Sequence, residues 1–270
     1  MTESIKLTPI GRVHNDYIDP AQPRVSVMQS TIEVFPEYAE GLLRLDEHSH
    51  IWVLGWFHLS QRDMLRVVPR MNKELGEYGV FGLRTFNRPN PIGLTVVKLD
   101  SIQGNMLTVS NLDFINGTPV LDIKPYYDQD IIFSPILPYI KPTDPNTLEA
   151  ILMKKALNHH GEKCAQLMIA VKMALLAEKE FGLLTAHDLK VSVTGSRCLG
   201  DALQGITLAK LANPSRFQFE ENDEQAISVW EKGNRAIIIT FKGNKDDQAR
   251  NQRTELPSDQ QFEVQYKEGV

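Results

Sequence analysis

The segment from Arg84 to Gly93 carries the residue types most suited to chemistry. Arg84 and Arg88 lie four residues apart, and Pro89 and Pro91 flank an asparagine just before the glycine. Proline fixes φ and removes a backbone donor, so this segment is neither a helix interior nor a central strand. We predict a rigid loop that holds two guanidinium groups in place. Such a loop is typical of a binding site, and the alternative is a structural turn with solvated arginines.

Three further groups of polar residues stand near predicted strands. Pro23-Arg24 lies in a proline-bearing loop, and His58 ends an aromatic strand. The third group runs from Asp113 to Tyr127, and in it Asp122 and Lys124 lie two apart in an extended segment and share one face. The alternatives are a core histidine at position 58 and a surface ion pair between Asp122 and Lys124.

The elements that must position these groups are short strands over residues 5 to 140. The alternation from Ser30 to Phe35 has the period of a half-buried strand, and turn residues recur at regular spacing. This pattern predicts a β-barrel or sandwich, with one short helix from Pro36 to Leu45 and strands that include Val80-Phe81. Four prolines between Pro135 and Pro145 mark a domain edge. We therefore divide the chain into residues 1–140 and 146–270.

The second domain has the pattern of an α+β unit. Helices are predicted over 146–156, 164–181 and 199–211, and strands over 190–194, 228–230 and 236–241. The polar segment 242–261 is predicted to be a mobile excursion before a short apolar end.

Composition excludes several classes of protein. The chain has 270 residues, a net charge of −5 and ordinary apolar content, which does not suggest a protein wrapped around nucleic acid. Its sequence has no apolar run long enough for a membrane span and no signal peptide, and two cysteines cannot form a disulfide framework. A cytoplasmic protein without a membrane partner is the expectation. Phosphate-loop, nucleophile-elbow and dinucleotide motifs are absent from the sequence.

Four segments make the first domain recognisable. Phe35–Ala39, Ser49–Leu54, Arg88–Leu94 and Gly117–Tyr126 resemble the TrmO (YaeB-like) family, and the likeness covers about residues 7–135. The resemblance implies a β-barrel of the class VIII methyltransferases. It also implies S-adenosyl-L-methionine as cofactor, methylation of N6 of the threonylcarbamoyladenosine beside the anticodon of tRNA, and a homodimer with its cofactor sites near the subunit contact.

The resemblance assigns cofactor contacts residue by residue. They are Pro23, Arg24, Val25, His58, Leu59, Arg84, Arg88, Leu94 and the turn Asp113, Phe114, Ile115, Asn116. Three of them depart from the family pattern: Val25 replaces a glutamine, Leu59 stands where glutamine is common, and Asn116 replaces an aspartate. These departures leave the substrate open. The catalytic assignments are that Asp122, Lys124 and Tyr126 face the substrate, and that Asp122 or His58 acts as general base.

The second domain is similar to the FmdE-like domain, named for a subunit of formylmethanofuran dehydrogenase, over about residues 150–242. His160-Gly161-Glu162-Lys163-Cys164 and the segment from Cys198 to Gln204 carry this likeness, although Glu162 replaces a histidine and a third cysteine is missing. It implies a soft divalent metal such as zinc on His160, Cys164 and Cys198. On a helix start, His160 and Cys164 would share a face. The alternative is two buried cysteines acting as small apolar residues.

Three functions follow from these resemblances. The first is a tRNA methyltransferase that binds the anticodon loop. The second is a methyltransferase whose small-molecule or metal-cofactor-related substrate is delivered by the FmdE-like domain. The third is a non-catalytic protein that binds S-adenosyl-L-methionine or a metal.

Overall fold

A computed structural model of the chain describes residues 5–19, 29–243 and 257–268. The predicted cofactor contacts Pro23, Arg24 and Val25 therefore lie outside the described residues. The chain divides into two compact units, Met1–Ile131 and Ile132–Val270. Within the described ranges, every helix is too short or too polar to cross a lipid bilayer.

Six strands close the first unit into an antiparallel barrel. The strands of this unit are β1 (Gly11–His14), β2 (Gln29–Val34), β3 (His50–Trp56), β4 (Arg66–Val67), β5 (Tyr78–Gly79), β6 (Ile92–Gln103), β7 (Met106–Ser110) and β8 (Pro119–Pro125). The barrel order is β1-β2-β7-β6-β3-β8, and β1 closes it by pairing with β8. β4 and β5 form a separate small hairpin within the connection from β3 to β6. The predicted barrel class is confirmed.

Alternation along the strands builds the barrel core. Ile32 and Val34 of β2 and Ile51 and Val53 of β3 point inward and are almost fully buried. Their neighbours along each strand remain partly exposed, as expected where successive side chains point to opposite faces. Apolar side chains from all six strands therefore meet in one cluster inside the barrel.

Two predicted elements of this unit differ from the structure. The helix over Pro36–Leu45 is two 3₁₀ helices, Pro36–Leu42 and Leu45–Glu47, and none of their described side chains is buried, so packing does not favour a longer α-helix. Val80–Gly82 is a 3₁₀ turn rather than a strand. Strand β6 runs on to Gln103 because a bulge between Leu99 and Ser101 lets the pairing continue past a polar residue.

Three helices and a five-stranded sheet form the second unit. Its elements are α1 (Pro145–His160), α2 (Ala165–Phe181), β9 (Leu189–Gly195), α3 (Arg197–Thr207), β10 (Phe217–Glu221), β11 (Ile227–Lys232), β12 (Arg235–Phe241) and β13 (Phe262–Glu268). The sheet order is β10-β9-β11-β12-β13, with only the β10–β9 pair parallel among these strands. The predicted α+β class is confirmed, and β10 and β13 are the strands that the sequence pattern missed.

The proline-rich segment after Ile131 belongs to the second unit rather than to a linker. The hydroxyl of Tyr139 donates a hydrogen bond to Glu178, a buried carboxylate on α2. The ammonium of Lys141 lies 2.8 Å from the same carboxylate. These contacts tie the segment to α2, and the boundary between the units accordingly precedes the prolines.

Arg216 is a buried cation that joins several segments of the second unit. Its guanidinium donates to the carbonyl oxygens of Ala186 at 2.9 Å, Leu189 at 3.2 Å and Leu208 at 3.0 Å. It also donates to the hydroxyl of Ser134 at 2.8 Å. A guanidinium can serve acceptors in several directions because its donors form a rigid fork.

We predict that Arg216→Lys lowers the free energy of unfolding by about 2–4 kcal/mol. Lysine has fewer N–H donors than arginine, so buried carbonyl groups would be left without partners. Urea denaturation followed by circular dichroism measures this loss. The matched control is Arg197→Lys, an exposed arginine paired with Glu221, which should change stability by less than about 0.5 kcal/mol. Equal losses in the two variants would contradict the role given to Arg216.

Candidate cofactor site and metal cluster

A cavity of about 150 Å³ opens within the first unit, beside the end of β3. Its lining combines aromatic and aliphatic side chains with two arginines, a histidine and an aspartate. The lining residues are Tyr17, Phe57, His58, Leu59, Ser60, Arg70, Arg84, Phe86, Asp113 and Ile115. An apolar pocket with a few convergent charged groups is the usual form of a small-molecule site.

Two glycines, one on β3 and one on β6, face each other and leave room for two aromatic rings beside the cavity. Gly55 and Gly93 are directly paired. A Cβ on Gly55 would lie 2.5 Å from the ring of Phe114, and one on Gly93 would lie 2.4 Å from the ring of Phe57. These two rings pack edge to face, with their centroids 5.3 Å apart. Phe114 is buried, and it fixes the turn that carries Asp113 and Ile115.

The side chain of Asn15 ties that turn to the end of β1. Its amide donates to the carbonyl of Phe114 at 3.0 Å and to the hydroxyl of Ser30 at 3.1 Å. Its Oδ1 accepts from the backbone of Tyr17 at 3.0 Å, while the backbone N–H of Asn15 donates to Asn116. Asn15 thus aligns two of the segments that line the cavity.

The loop from Arg84 to Gly93 is held by its own backbone and by the segment after β3. Arg88 donates to the carbonyl of Leu83 at 2.8 Å and also to that of Val80, so its guanidinium folds back onto the loop. The backbone N–H of Phe57 donates to Pro91 at 2.8 Å, and that of Gln61 donates to Asn87 at 3.0 Å. These bonds make the loop rigid, as its prolines indicate.

The structure brings together five of the residues that the family resemblance assigns to the cofactor. His58, Leu59, Arg84, Asp113 and Ile115 all line the one cavity. The other described residues of that set have different surroundings. Phe114 is in the barrel core, Arg88 binds the loop backbone, Asn116 binds the segment after β1, and Leu94 is exposed on β6.

The strip of Asp122, Lys124 and Tyr126 lies on the outer face of the barrel. Asp122 and Lys124 form an ion pair of 2.8 Å, and Tyr126 packs against Trp52 with ring centroids 5.8 Å apart. Asp122 pairs with Leu54 and Lys124 pairs with Trp52, two residues of β3 that point away from the core. Among the described residues that line the cavity, none comes from this strip.

Several residues of the cavity were missed at the level of sequence. Tyr17, Phe57, Ser60, Arg70 and Phe86 join the predicted set. Tyr17, Phe57 and Phe86 stand in irregular segments, and an aromatic type alone does not distinguish a residue that lines a cavity from one that fills a core. Arg70 lies within a run of basic residues whose face the sequence does not define.

A separate cluster in the second unit brings His160, Cys164 and Cys198 together. One ligand atom from each lies within 4.8 Å of the others, and Nε2 of His160 is 3.4 Å from Sγ of Cys164. Burial raises the pKa of the Cys198 thiol, and the neighbouring Cys164 raises it further. Thiol and imidazole groups at this spacing are suited to a soft divalent ion such as zinc.

The prediction that His160 and Cys164 share a face of one helix is wrong. His160 ends α1, Gly161 follows in the left-handed conformation, and Cys164 caps the start of α2. The sharp turn at Gly161 brings the two side chains together instead. Sγ of Cys164 accepts from the backbone N–H of Leu167 at 3.4 Å, which orients the sulfur at the helix start.

We predict that Gly93→Ala destabilises the first unit by about 1–3 kcal/mol, because a Cβ would collide with the rings of Phe57 and Phe114. Urea denaturation with tryptophan fluorescence measures the change. Gly41→Ala is the matched control, since a Cβ at that position meets no atom within 4 Å. A Gly93→Ala protein as stable as the control would show that the rings do not need the glycine.

Comparison with known proteins relates each unit to a family. The model for the tRNA-methyltransferase O N-terminal domain matches residues 13–130. The model described as FmdE, molybdenum formylmethanofuran dehydrogenase operon, matches residues 159–268. The two matches fall within the first and second units respectively.

Three relatives illustrate the extent of the likeness. A probable S-adenosyl-L-methionine-binding protein of Methanothermobacter thermautotrophicus is 44% identical over 128 residues, which are 46% of this chain and 91% of the relative. One of Archaeoglobus fulgidus with the same description is 33% identical over 222 residues, 78% of this chain and 60% of the relative. A human tRNA (adenine(37)-N6)-methyltransferase is 38% identical over 138 residues, 46% of this chain and 31% of the relative.

The chain therefore spans less than two thirds of the Archaeoglobus and human relatives, whereas it covers nearly all of the Methanothermobacter protein. The first unit has the closed barrel and the motifs expected of the family, and the second unit has the matching FmdE segment. On this basis the chain belongs to the tRNA-methyltransferase O (TrmO) family, with an FmdE-type domain following the barrel.

Proposed function

We propose that the first unit is an S-adenosyl-L-methionine-dependent methyltransferase that methylates N6 of threonylcarbamoyladenosine at position 37 of tRNA. The observation that carries the proposal is the convergence of His58, Leu59, Arg84, Asp113 and Ile115 on one cavity. The name of the human relative supports an adenine of tRNA as the acceptor.

The residues of the cavity suit the proposed cofactor. S-adenosyl-L-methionine supplies an electrophilic methyl group on a positively charged sulfonium. The guanidinium of Arg84 can pair with a carboxylate, and the carboxylate of Asp113 favours positive charge or ribose hydroxyl groups nearby. The rings of Phe57 and Phe86 offer apolar walls. The cavity volume of about 150 Å³ is below that of a typical drug-sized pocket, so these residues would hold only part of the cofactor.

We assign the general base to His58 rather than Asp122. The imidazole of His58 faces the cavity, whereas the carboxylate of Asp122 is paired with Lys124 on the outer face. A base must come within hydrogen-bond reach of the proton it removes, and geometry is the first criterion. The outer strip would then contact a substrate or a second copy of the chain, in line with the homodimer implied by the family.

A small-molecule acceptor is the second candidate for this site. It is supported by the three departures from the family pattern at Val25, Leu59 and Asn116, and by the net charge of −5. Under this alternative the cofactor residues keep the same roles. Only the groups that meet the acceptor differ.

We predict that the wild-type protein transfers tritium from methyl-labelled S-adenosyl-L-methionine to tRNA that carries threonylcarbamoyladenosine, and not to tRNA without it. Arg84→Ala should weaken cofactor binding by about 10- to 100-fold, because one charged hydrogen-bonding group is lost. Isothermal titration calorimetry measures the affinity. The matched control is Arg44→Ala, since Arg44 is an exposed arginine paired with Glu47.

The same assay separates the alternatives. Label in a small-molecule extract but none in tRNA would rule out the tRNA substrate and favour the second candidate. Tight cofactor binding without transfer to either pool would identify a non-catalytic cofactor-binding protein. Equal cofactor affinity in Arg84→Ala and Arg44→Ala would remove Arg84 from the site.

For the second unit we propose a zinc-type metal site formed by His160, Cys164 and Cys198. The supporting observation is the 4.8 Å clustering of one imidazole nitrogen and two sulfur atoms. This donor set fits zinc, and three protein ligands leave a fourth position for water or another ligand. A bound ion would supply Lewis acidity at that position, and the three side chains would hold it between the ends of the helices.

We predict that the metal-free protein binds one equivalent of Co²⁺ with the intense thiolate charge-transfer absorption of a sulfur-ligated ion, and that Zn²⁺ displaces it. Cys198→Ala should strongly reduce this absorption, because one of the two thiolates is lost. His187→Ala, a change at an exposed histidine of the same unit, should leave it intact. A wild-type protein without the absorption would refute the metal site.

A further inference from the structure

Asp201 contacts the imidazole of His160 on the side opposite the cysteines. Its Oδ2 is 2.8 Å from Nδ1 of His160, while Nε2 of the same ring is 3.4 Å from Sγ of Cys164. The His160 side chain is only 9% exposed, so its ring has little freedom to turn. The two ring nitrogens therefore face two different chemical groups.

We propose that Asp201 is the positioning residue of the metal cluster, acting through His160; this inference rests on the metal site proposed above. A carboxylate next to Nδ1 accepts a hydrogen bond from its N–H and so selects the tautomer in which the proton stays on Nδ1 and Nε2 carries the free lone pair. That lone pair points toward the sulfur of Cys164, where an ion would be bound.

The fold supplies Asp201 from the same helix as one of the proposed ligands. Cys198 and Asp201 lie three residues apart on α3, a spacing that places both on one side of the helix. Helix α1 can approach α3 closely because position 205 is a glycine. A Cβ there would lie 2.4 Å from Cβ of His159. This close contact packs the end of α1 against α3, and Asp201, one turn before Gly205, then lies beside His159 and His160.

Both oxygens of Asp201 are engaged by imidazole groups. Oδ1 lies 3.2 Å from Nε2 of His159, and Oδ2 is the partner of His160. A carboxylate held on both sides is not available as a direct ligand. It acts on the site through the orientation of the histidine, and His159 in turn restrains the carboxylate.

The test compares Asp201→Asn with wild type in the full chain. We expect Asp201→Asn to weaken Zn²⁺ binding by about 10- to 100-fold in competition with a chromophoric chelator. Asp201→Glu should recover part of the affinity because it restores a carboxylate, whereas asparagine keeps an acceptor oxygen but loses the negative charge. Long-range ¹⁵N–¹H spectra of the metal-free protein should show His160 protonated on Nδ1 in wild type and a mixture of tautomers in Asp201→Asn. The matched control is Asp188→Asn, a change at an exposed aspartate paired with Lys232.

The outcomes separate this inference from the metal site itself. If wild type and Asp201→Asn bind Zn²⁺ with equal affinity while His160→Ala does not bind it, the metal site stands and the role of Asp201 is overturned. If wild type binds no metal, both are overturned. A loss of affinity in Asp201→Asn that appears equally in Asp188→Asn would also overturn it, since a general loss of charge would then explain the effect. Circular dichroism of each variant checks that the fold is kept.

Discussion

The contact between Phe57 and Phe114 over a pair of facing glycines is the constraint on which the cavity of the barrel depends. The rings meet edge to face because neither Gly55 nor Gly93 has a Cβ to block them. Phe57 leads directly into His58 and Leu59, while Phe114 lies between Asp113 and Ile115. One buried aromatic pair therefore sets the position of residues from two distant parts of the sequence.

Around the cavity, the residues that hold the loop backbone differ from the residues that line the cavity. Arg88 and Asn15 use their donors on backbone carbonyl groups, and so they fix two loops without reaching into the cavity. Arg84 and Asp113 lie on those loops and keep their charged groups toward it. This arrangement allows charged side chains to be placed accurately on loops, because the loops carry their own network of hydrogen bonds.

Much of the fold follows from sequence pattern, whereas the roles of individual residues within a motif do not. Alternation located β2, whose inward residues are mostly apolar, and an aromatic run located β3. Arg84 and Arg88 have the same side chain and neighbouring positions, so only the folded loop distinguishes a residue that lines the cavity from one that binds backbone. Strand β10 was missed because most of its residues are exposed and two are acidic.

The orientation of Asp122 shows how a single β-bulge changes the side of the barrel wall to which a residue points. The sequence correctly implies that Asp122 and Lys124 share a side of β8, but alternation from the buried Val120 would turn both inward. The register shifts between Leu54 and Gly55, so that Gly55 pairs with Val120 and Leu54 pairs with Asp122. The extra residue reverses the alternation and directs the ion pair outward. Bulges of this kind leave no clear sequence signal, because they depend on how the barrel closes.

The cluster of His160, Cys164 and Cys198 is formed by residues at the ends of helices rather than on the face of one helix. A left-handed glycine between α1 and α2 brings His160 back toward Cys164, and the start of α3 adds Cys198 and Asp201. The family resemblance identified the three residues, but their spacing suggested the wrong geometry for His160 and Cys164, because a helix and a helix–turn–helix junction can both bring residues four apart into contact. Side chains at three helix ends remain close only while all three helices are packed. The proposed site would therefore couple metal binding to the assembly of the whole helical layer.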